Sequence, residues 1–315
     1  TYLCLVSFMP VFILKENVMA INWKVFTQRP YIKSLSLEEQ VRLFRIANEK
    51  SIRLRESKFQ DFSNSNSTSQ GAAGDGDTGV TPFINTRSLD FDGNDDYIDL
   101  GDADVFSFGN GSSDFPFTIS AWVYIEGSST FPVFDKYPDN GSWSLREYRM
   151  LEVNSSNKVF CTLYDSSASA RFDIYSDSLI TRNQWEHLCI TYDGRGGSNA
   201  SDGVKIYING VESNKTVNAY GTYVAMENKS TPVRIGRVGS AYAEGKIDEV
   251  ALFDSDRTSN IATIYNGGVP GDLSSLSPVA WYRFEEGSGT TAIDAGSGGN
   301  NGTINGAVYT TDVPT

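Results

Sequence analysis

Residues 117–126 read FTISAWVYIE, and the fold is decided by how they are read. Phe117, Ile119, Ala121, Val123 and Ile125 fall on one side of an extended chain, and Thr118, Ser120, Trp122, Tyr124 and Glu126 on the other. Side chains of a strand alternate between two faces, so this spacing predicts a strand with one apolar face. Similar short apolar or alternating runs recur outward in both directions. Upstream stand SLDF (88–91) and YIDL (97–100). Downstream stand KVFCTLY (158–164), WEHLCITYD (185–193), VKIYI (204–208), VRI (233–235), IDEVALFD (247–254) and VAWYRFE (279–285). Asn209-Gly210 after VKIYI is a hairpin turn signal. At least ten strands are expected, with one short helix around Ser259 to Tyr265 ended by Gly267. Strands at this density predict an all-β sandwich or jelly roll over residues 83–315.

Composition limits what the chain can do. It has 315 residues, 39% of them apolar and 12% aromatic, which is enough for a substantial core. With 26 Lys+Arg against 39 Asp+Glu, the net charge of −13 argues against nucleic acid as a partner. A single histidine, His187, excludes zinc sites built on several imidazoles and leaves a Ser-His-Asp triad one residue to stand on. Three cysteines, Cys4, Cys161 and Cys189, are too few for a disulfide framework.

The charge is unevenly spread. Residues 20–60 carry nine Lys/Arg and four Asp/Glu, a net +5, whereas 61–315 carry −18. Residues 1–18 are expected to be upstream sequence, with Met19 as the start. Their apolar run is too short to span a bilayer and contains Pro10, so no membrane span is expected. Residues 19–60 form an arm. Within it a helix is predicted over 37–58, because Ser36 and Glu39 fit a capping box and Leu37, Val41 and Phe44 recur at helical spacing. The apolar stripe of this helix needs a partner, either the body of the chain or an assembly. Residues 61–82 have the Ser/Asn/Gly/Asp composition of a flexible linker.

The order SLDFDGNDDYIDLGD, FTISAWVYIEG, NQWEHLCITYDG, VKIYINGVES, VRIGRVGSAYAEGKIDEVALFD and the short helix resembles the laminin-G-like, concanavalin A-like lectin/glucanase jelly rolls. The tail from VAWYRFEEG onward resembles a segment that often precedes the first strand in such proteins; here it is expected to supply closing strands. The resemblance covers residues 86–314. It implies a fold that hosts lectins, adhesion modules, carbohydrate-binding modules and glycosidases, so it does not by itself choose among them. A basic arm, a linker and an acidic jelly roll together resemble structural proteins of tailed bacteriophages. That resemblance implies a virion or extracellular location, with the arm docked to the particle or to other copies.

Three features bear on chemistry. A laminarinase-type site needs carboxylates on alternate residues of one strand. Here Lys246 takes the nucleophile's place, and Asp248 and Glu249 are adjacent, so a regular strand would face them oppositely; Glu285-Glu286 fail alike. The chain is therefore expected not to be an enzyme. In a regular strand Asp248 shares a face with Val250 and Leu252 and points inward. The resemblance places the acidic loop after the first strand near it, so Asp92, Asp96 and Asp248 are the expected ligands of a structural Ca²⁺; the alternative is an Asx-type turn bonding its own backbone. Sugar binding needs an aromatic platform beside polar groups. KYPDNGSWSLREYRM supplies Tyr137, Asp139, Asn140, Trp143, Arg146 and Tyr148, with core packing as the alternative for Trp143. His187, Cys161 and Cys189 are read as structural. The expected function is a non-catalytic module binding cell-surface glycan or glycoprotein; the alternative is a structural or decoration protein of a phage particle.

Overall fold

The computed structural model describes residues 83–315. The extension 1–18, the arm helix at 37–58 and the linker 61–82 lie outside the described residues. Two antiparallel sheets face each other. The first has eight strands along the path β10 (Val211–Ser213), β9 (Val204–Ile208), β8 (Trp185–Tyr192), β3 (Phe117–Ile125), β15 (Glu244–Phe253), β1 (Ser88–Asp92) and β19 (Val308–Thr310); β16 (Ala280–Tyr282) also pairs with β15. The second has nine: β11 (Lys215–Tyr220), β7 (Ala170–Leu179), β6 (Lys158–Asp165), β5 (Tyr148–Val153), β4 (Phe134–Lys136), β12 (Val233–Ile235), β2 (Tyr97–Gly101), β18 (Gly302–Asn305) and β17 (Thr291–Ala292). A small ribbon joins β13 (Arg237–Val238) to β14 (Ala241–Tyr242).

The alternation read in 117–126 decides which way β3 faces. Ile119, Ala121, Val123 and Ile125 enter one continuous core with Ile98, Phe134, Met150, Leu163 and Ile174 of the other sheet. Burial of these faces drives the sandwich together. The C-terminal tail closes both sheets, since β18 pairs with β2 in one and β19 with β1 in the other. Asn209 and Gly210 both have positive φ, 51° and 73°, as the hairpin turn requires. The expected helix is α2 (Ile261–Tyr265); the shorter α1 (Ala200–Gly203) precedes β9. At the end of α2, Asn266 takes the left-handed conformation one residue before the expected Gly267. Among the described residues no helix is long and apolar enough to cross a membrane.

One bulge overturns two readings of β15. Asp248 pairs with Trp122 and Ala251 with Ser120, so Glu249 and Val250 together oppose Ala121. Glu249 absorbs the extra residue with φ of 49°. Ile247, Val250 and Leu252 lie in the main core, whereas Ala251 belongs to a separate cluster on the outer side with Phe253, Ile264 and Trp281. Asp248 thus lies on the outer face with Trp122 and not with Val250 and Leu252, and Glu249 joins it there instead of facing away. Glu249 accepts the indole N–H of Trp281 at 2.6 Å and the Nε–H of Arg283 at 3.1 Å. Asp248 accepts from the Asn85 amide at 2.9 Å and from the Glu249 N–H at 2.8 Å. Phe83 stacks on Trp281 with centroids 6.1 Å apart, and Arg283 lies over Phe83, so the pair is roofed.

Burial pushes the Glu249 carboxyl up to about 8, with Arg283 opposing it, and raises Asp248 well above the carboxylate range, with Glu249 adding to the rise. An acid whose folded pKa is raised contributes stability below its unfolded pKa and loses it as pH rises through the folded value. The thermal midpoint is therefore expected to fall between about pH 4.5 and pH 8, the unfolded and folded values of Glu249, and Glu249→Gln is expected to flatten that fall. Melts of both proteins across that range check this; parallel curves would disprove the assignment.

Cys161 lies in the core on β6, and Cys189 lies on the outer side of β8 with Tyr207 and Ile261. Both are free and in different sheets. His187 is buried beside Trp122, ring centres 5.0 Å apart, and beside Tyr265. Burial pushes it down to about 3, so the ring is neutral, and its Nδ1 has no hydrogen-bond partner.

Candidate binding face

The outer face of the nine-stranded sheet carries one unbroken polar row. Register places Thr291, Thr303, Asp99, Arg234, Asp135, Arg149, Thr162, Asp173 and Asn218 opposite one another from β17 to β11. Their chain neighbours Ile304, Ile98, Ile235, Phe134, Met150 and Ile174 point the other way, into the core. Alternation within each strand thus builds a charged face on a hydrophobic one. Two residues beyond the row stand Tyr137, just past β4, and Tyr164 and Tyr220 on β6 and β11, so aromatic rings flank it.

Three of the six residues expected to bind ligand meet beside this row. The Arg146 guanidinium carbon lies 4.7 Å from the ring centre of Tyr137, 4.8 Å from that of Trp143 and 5.6 Å from that of Tyr164. Such contacts are cation–π pairs. Trp143 lies in a 3-10 turn (Trp143–Leu145) and is half-buried, so it is neither a bare platform nor a core residue. Arg171 approaches its ring as well, at 5.6 Å. Asp139 sits at the edge of this group, bonded to Arg234 at 2.9 Å and Arg237 at 3.2 Å. Asn140 holds the turn by accepting the Ser142 N–H. Tyr148 is a correction: its side chain is fully buried, stacked on Phe134, and its hydroxyl donates to the Phe106 carbonyl at 2.9 Å. It shares strand parity with Met150, a signal that places it in the core.

The electrostatics of the face are uneven. Arg149 pairs with Glu152, Arg171 with Asp173, Arg234 with Asp99 and Asp139, and Arg237 with Asp139. Among the described residues Arg146 has no acidic partner; its Nη2 donates to the Gly141 carbonyl at 2.6 Å. Its Nε, the Trp143 Nε1 and both carboxylate oxygens of Asp135 are buried with no hydrogen-bond partner. Burial holds Asp135 well above the carboxylate range, Glu152 adding to the rise and Arg149 opposing it. Buried polar atoms are nearly always paired with protein groups or water, so these four stand out on the face. The sequence alone does not single out Asp135, Arg149 or Tyr164. The alternation of KVFCTLY could have exposed Tyr164, but nothing in the sequence brings Asp135 beside Arg149.

The acidic loop is built differently from the expectation. Carboxylate oxygens of Asp92, Asp95 and Asp96 lie within 4.8 Å of one another. Asp248 is not among them: Asp92 pairs with Glu244, and Asp248 lies four residues further along β15, roughly 13 Å away at strand rise. Asp248 is also enclosed by its own partners. The loop triad offers hard oxygen donors suited to Ca²⁺. Two of its members also serve the backbone, Asp92 accepting from Asn94 N–H and Asp96 from Asp92 N–H.

A family model described as the concanavalin A-like lectin/glucanases superfamily (Laminin_G_3) matches residues 92–262. The chain belongs to this family. No match to a curated protein was found. Among solved structures, a Bacteroides ovatus protein proposed to bind carbohydrate aligns at 19% identity and TM-score 0.47, over 74% of this chain and 62% of its own. The chain thus spans less than two thirds of that protein's length. A heptameric SAP-like pentraxin from Limulus polyphemus aligns at 14% identity and TM-score 0.42, over 74% of this chain and 98% of its own. The CBM40 module of Ruminococcus gnavus IT-sialidase, solved with α2,3-sialyllactose, aligns at 11% identity and TM-score 0.42, over 56% and 95%.

Proposed function

We propose that residues 83–315 form a non-catalytic carbohydrate-binding module whose ligand lies on the outer face of the nine-stranded sheet, beside Tyr137, Trp143 and Arg146. The observation that carries this reading is the cluster of unpartnered buried polar atoms next to aromatic rings on a single sheet face. A sugar presents hydroxyls that donate and accept, and C–H faces that stack, so it complements such a surface. Family membership supports the reading. Display on a virion or cell exterior through residues 19–60 is part of it and rests on the order of basic arm, linker and acidic body in the sequence.

A glycan array probed with the full chain tests it. Saturable binding is expected, weakened roughly tenfold or more in Arg146→Ala or Trp143→Ala with the melting temperature little changed. No binding to any glycan would overturn the reading in favour of a packing or decoration role. Ca²⁺ is proposed as a structural ion of the loop, held by Asp92, Asp95 and Asp96. Millimolar Ca²⁺ is then expected to raise the melting temperature of the wild type but not of Asp95→Asn, and Asp248→Asn is expected to keep the response. An unresponsive wild type would leave the loop as a self-bonded turn.

A further inference from the structure

Lys136 is a lysine with no exposed side-chain surface, at the end of β4. Its Nζ lies 2.8 Å from Glu147 Oε1, 2.8 Å from Asp102 Oδ1 and 2.7 Å from Ser107 Oγ. The Glu147 side chain is likewise wholly buried, whereas that of Asp102 is 34% exposed. The two oxygens of Glu147 differ. Oε1 also accepts the Lys229 backbone N–H, while Oε2 has no partner. Burial pushes Glu147 up to about 7, Lys136 opposing the rise, so the neutral acid is populated near neutral pH. Burying two opposite charges together carries a large desolvation cost that an amide of the same groups would not.

The geometry points to a covalent modification site: Lys136 and Glu147 condense to an intramolecular amide that ties the end of β4 to the start of β5, with Asp102 as the base. Asp102 takes one proton from the Lys136 ammonium. The free amine attacks Cδ of the neutral Glu147 acid, and the Lys229 N–H holds the negative charge developing on Oε1, as an oxyanion donor does. The new C–N bond forms, the C–Oε2 bond breaks, and Oε2 leaves as water with its own proton and a second from Nζ. Asp102, which reaches solvent, releases the proton it took. The balance is ammonium plus carboxylic acid giving amide, water and a proton, with no oxidant or co-reactant. Fixed proximity supplies the drive that two such groups lack in water.

Mass spectrometry of the denatured full chain tests this. A tryptic digest is expected to leave Lys136 uncut and to return Ser88–Arg146 joined to the tripeptide Glu147–Arg149, one water lighter than the sum of the two. Lys136→Arg and Asp102→Asn are expected to yield the unjoined peptides at full mass. Cleavage after Lys136 in the aged wild type, with Glu147–Arg149 free, would overturn the proposal and leave an ion pair. The wild-type digest alone decides this should either variant fail to fold.

Discussion

Tyr148→Ala is expected to destabilise the domain by about 3–5 kcal/mol, the usual cost of removing a large buried aromatic side chain. Its ring is stacked on Phe134, lies 5.4 Å from Phe108, and has no exposed surface. Removing it opens a cavity where the aromatic core of the nine-stranded sheet meets the turn ending at Phe106, and it orphans the Phe106 carbonyl. Tyr148→Phe keeps the ring but still leaves the buried Phe106 carbonyl without its donor, and should cost about 1–3 kcal/mol. Trp143→Ala, five residues away, should cost less than either in stability yet weaken ligand binding. Chemical denaturation of the three variants beside binding assays separates these roles. A Tyr148→Ala variant as stable as wild type but unable to bind would return Tyr148 to the binding face.

The second large effect is expected at Asp114. This carboxylate, 6% exposed, accepts the Tyr192 hydroxyl at 2.7 Å, the Tyr223 hydroxyl at 2.9 Å and the Met226 N–H at 2.6 Å. It fastens three loops at one end of the sandwich. Tyr192 in turn accepts the Gly196 N–H, and the Met226 carbonyl accepts the Gly111 N–H. Asp114→Ala leaves three buried donors without an acceptor. Each orphan costs about 1–3 kcal/mol, though such costs do not add fully, so about 3–5 kcal/mol is expected overall. Asp114→Asn keeps an acceptor and should lose about a third of that. Hydrogen exchange should show protection lost first around residues 108–114, 193–197 and 223–226. A variant with unchanged stability and exchange would mean the loops hold themselves.

Much of the fold was legible because strand parity is local. The alternation of 117–125 orients β3 with no knowledge of its partners, and Asn209-Gly210 specifies its turn through positive φ alone. Parity also contained the burial of Tyr148, which lies on the same side of its strand as Met150. The binding face was only partly legible. Tyr137, Trp143 and Arg146 lie within ten residues of one another, so their meeting is nearly local. Asp135, Arg149, Thr162 and Asp173 reach one row only through the register of four strands.

What the sequence determined by itself is therefore the alternation, the turns, the acidic body and the family to which the chain belongs. Tertiary structure alone decided where Asp248 and Glu249 face, that Asp95 and not Asp248 lies with Asp92 and Asp96 in the loop triad, and that buried Lys136 and Glu147 meet with Asp102 at the solvent edge. The physical reason is common to all three. A period of two is preserved only until a bulge inserts a residue, and the position of a bulge depends on the neighbouring strand. Contacts between residues far apart in the chain depend on register, which is set by the packing of whole faces and not by any one segment.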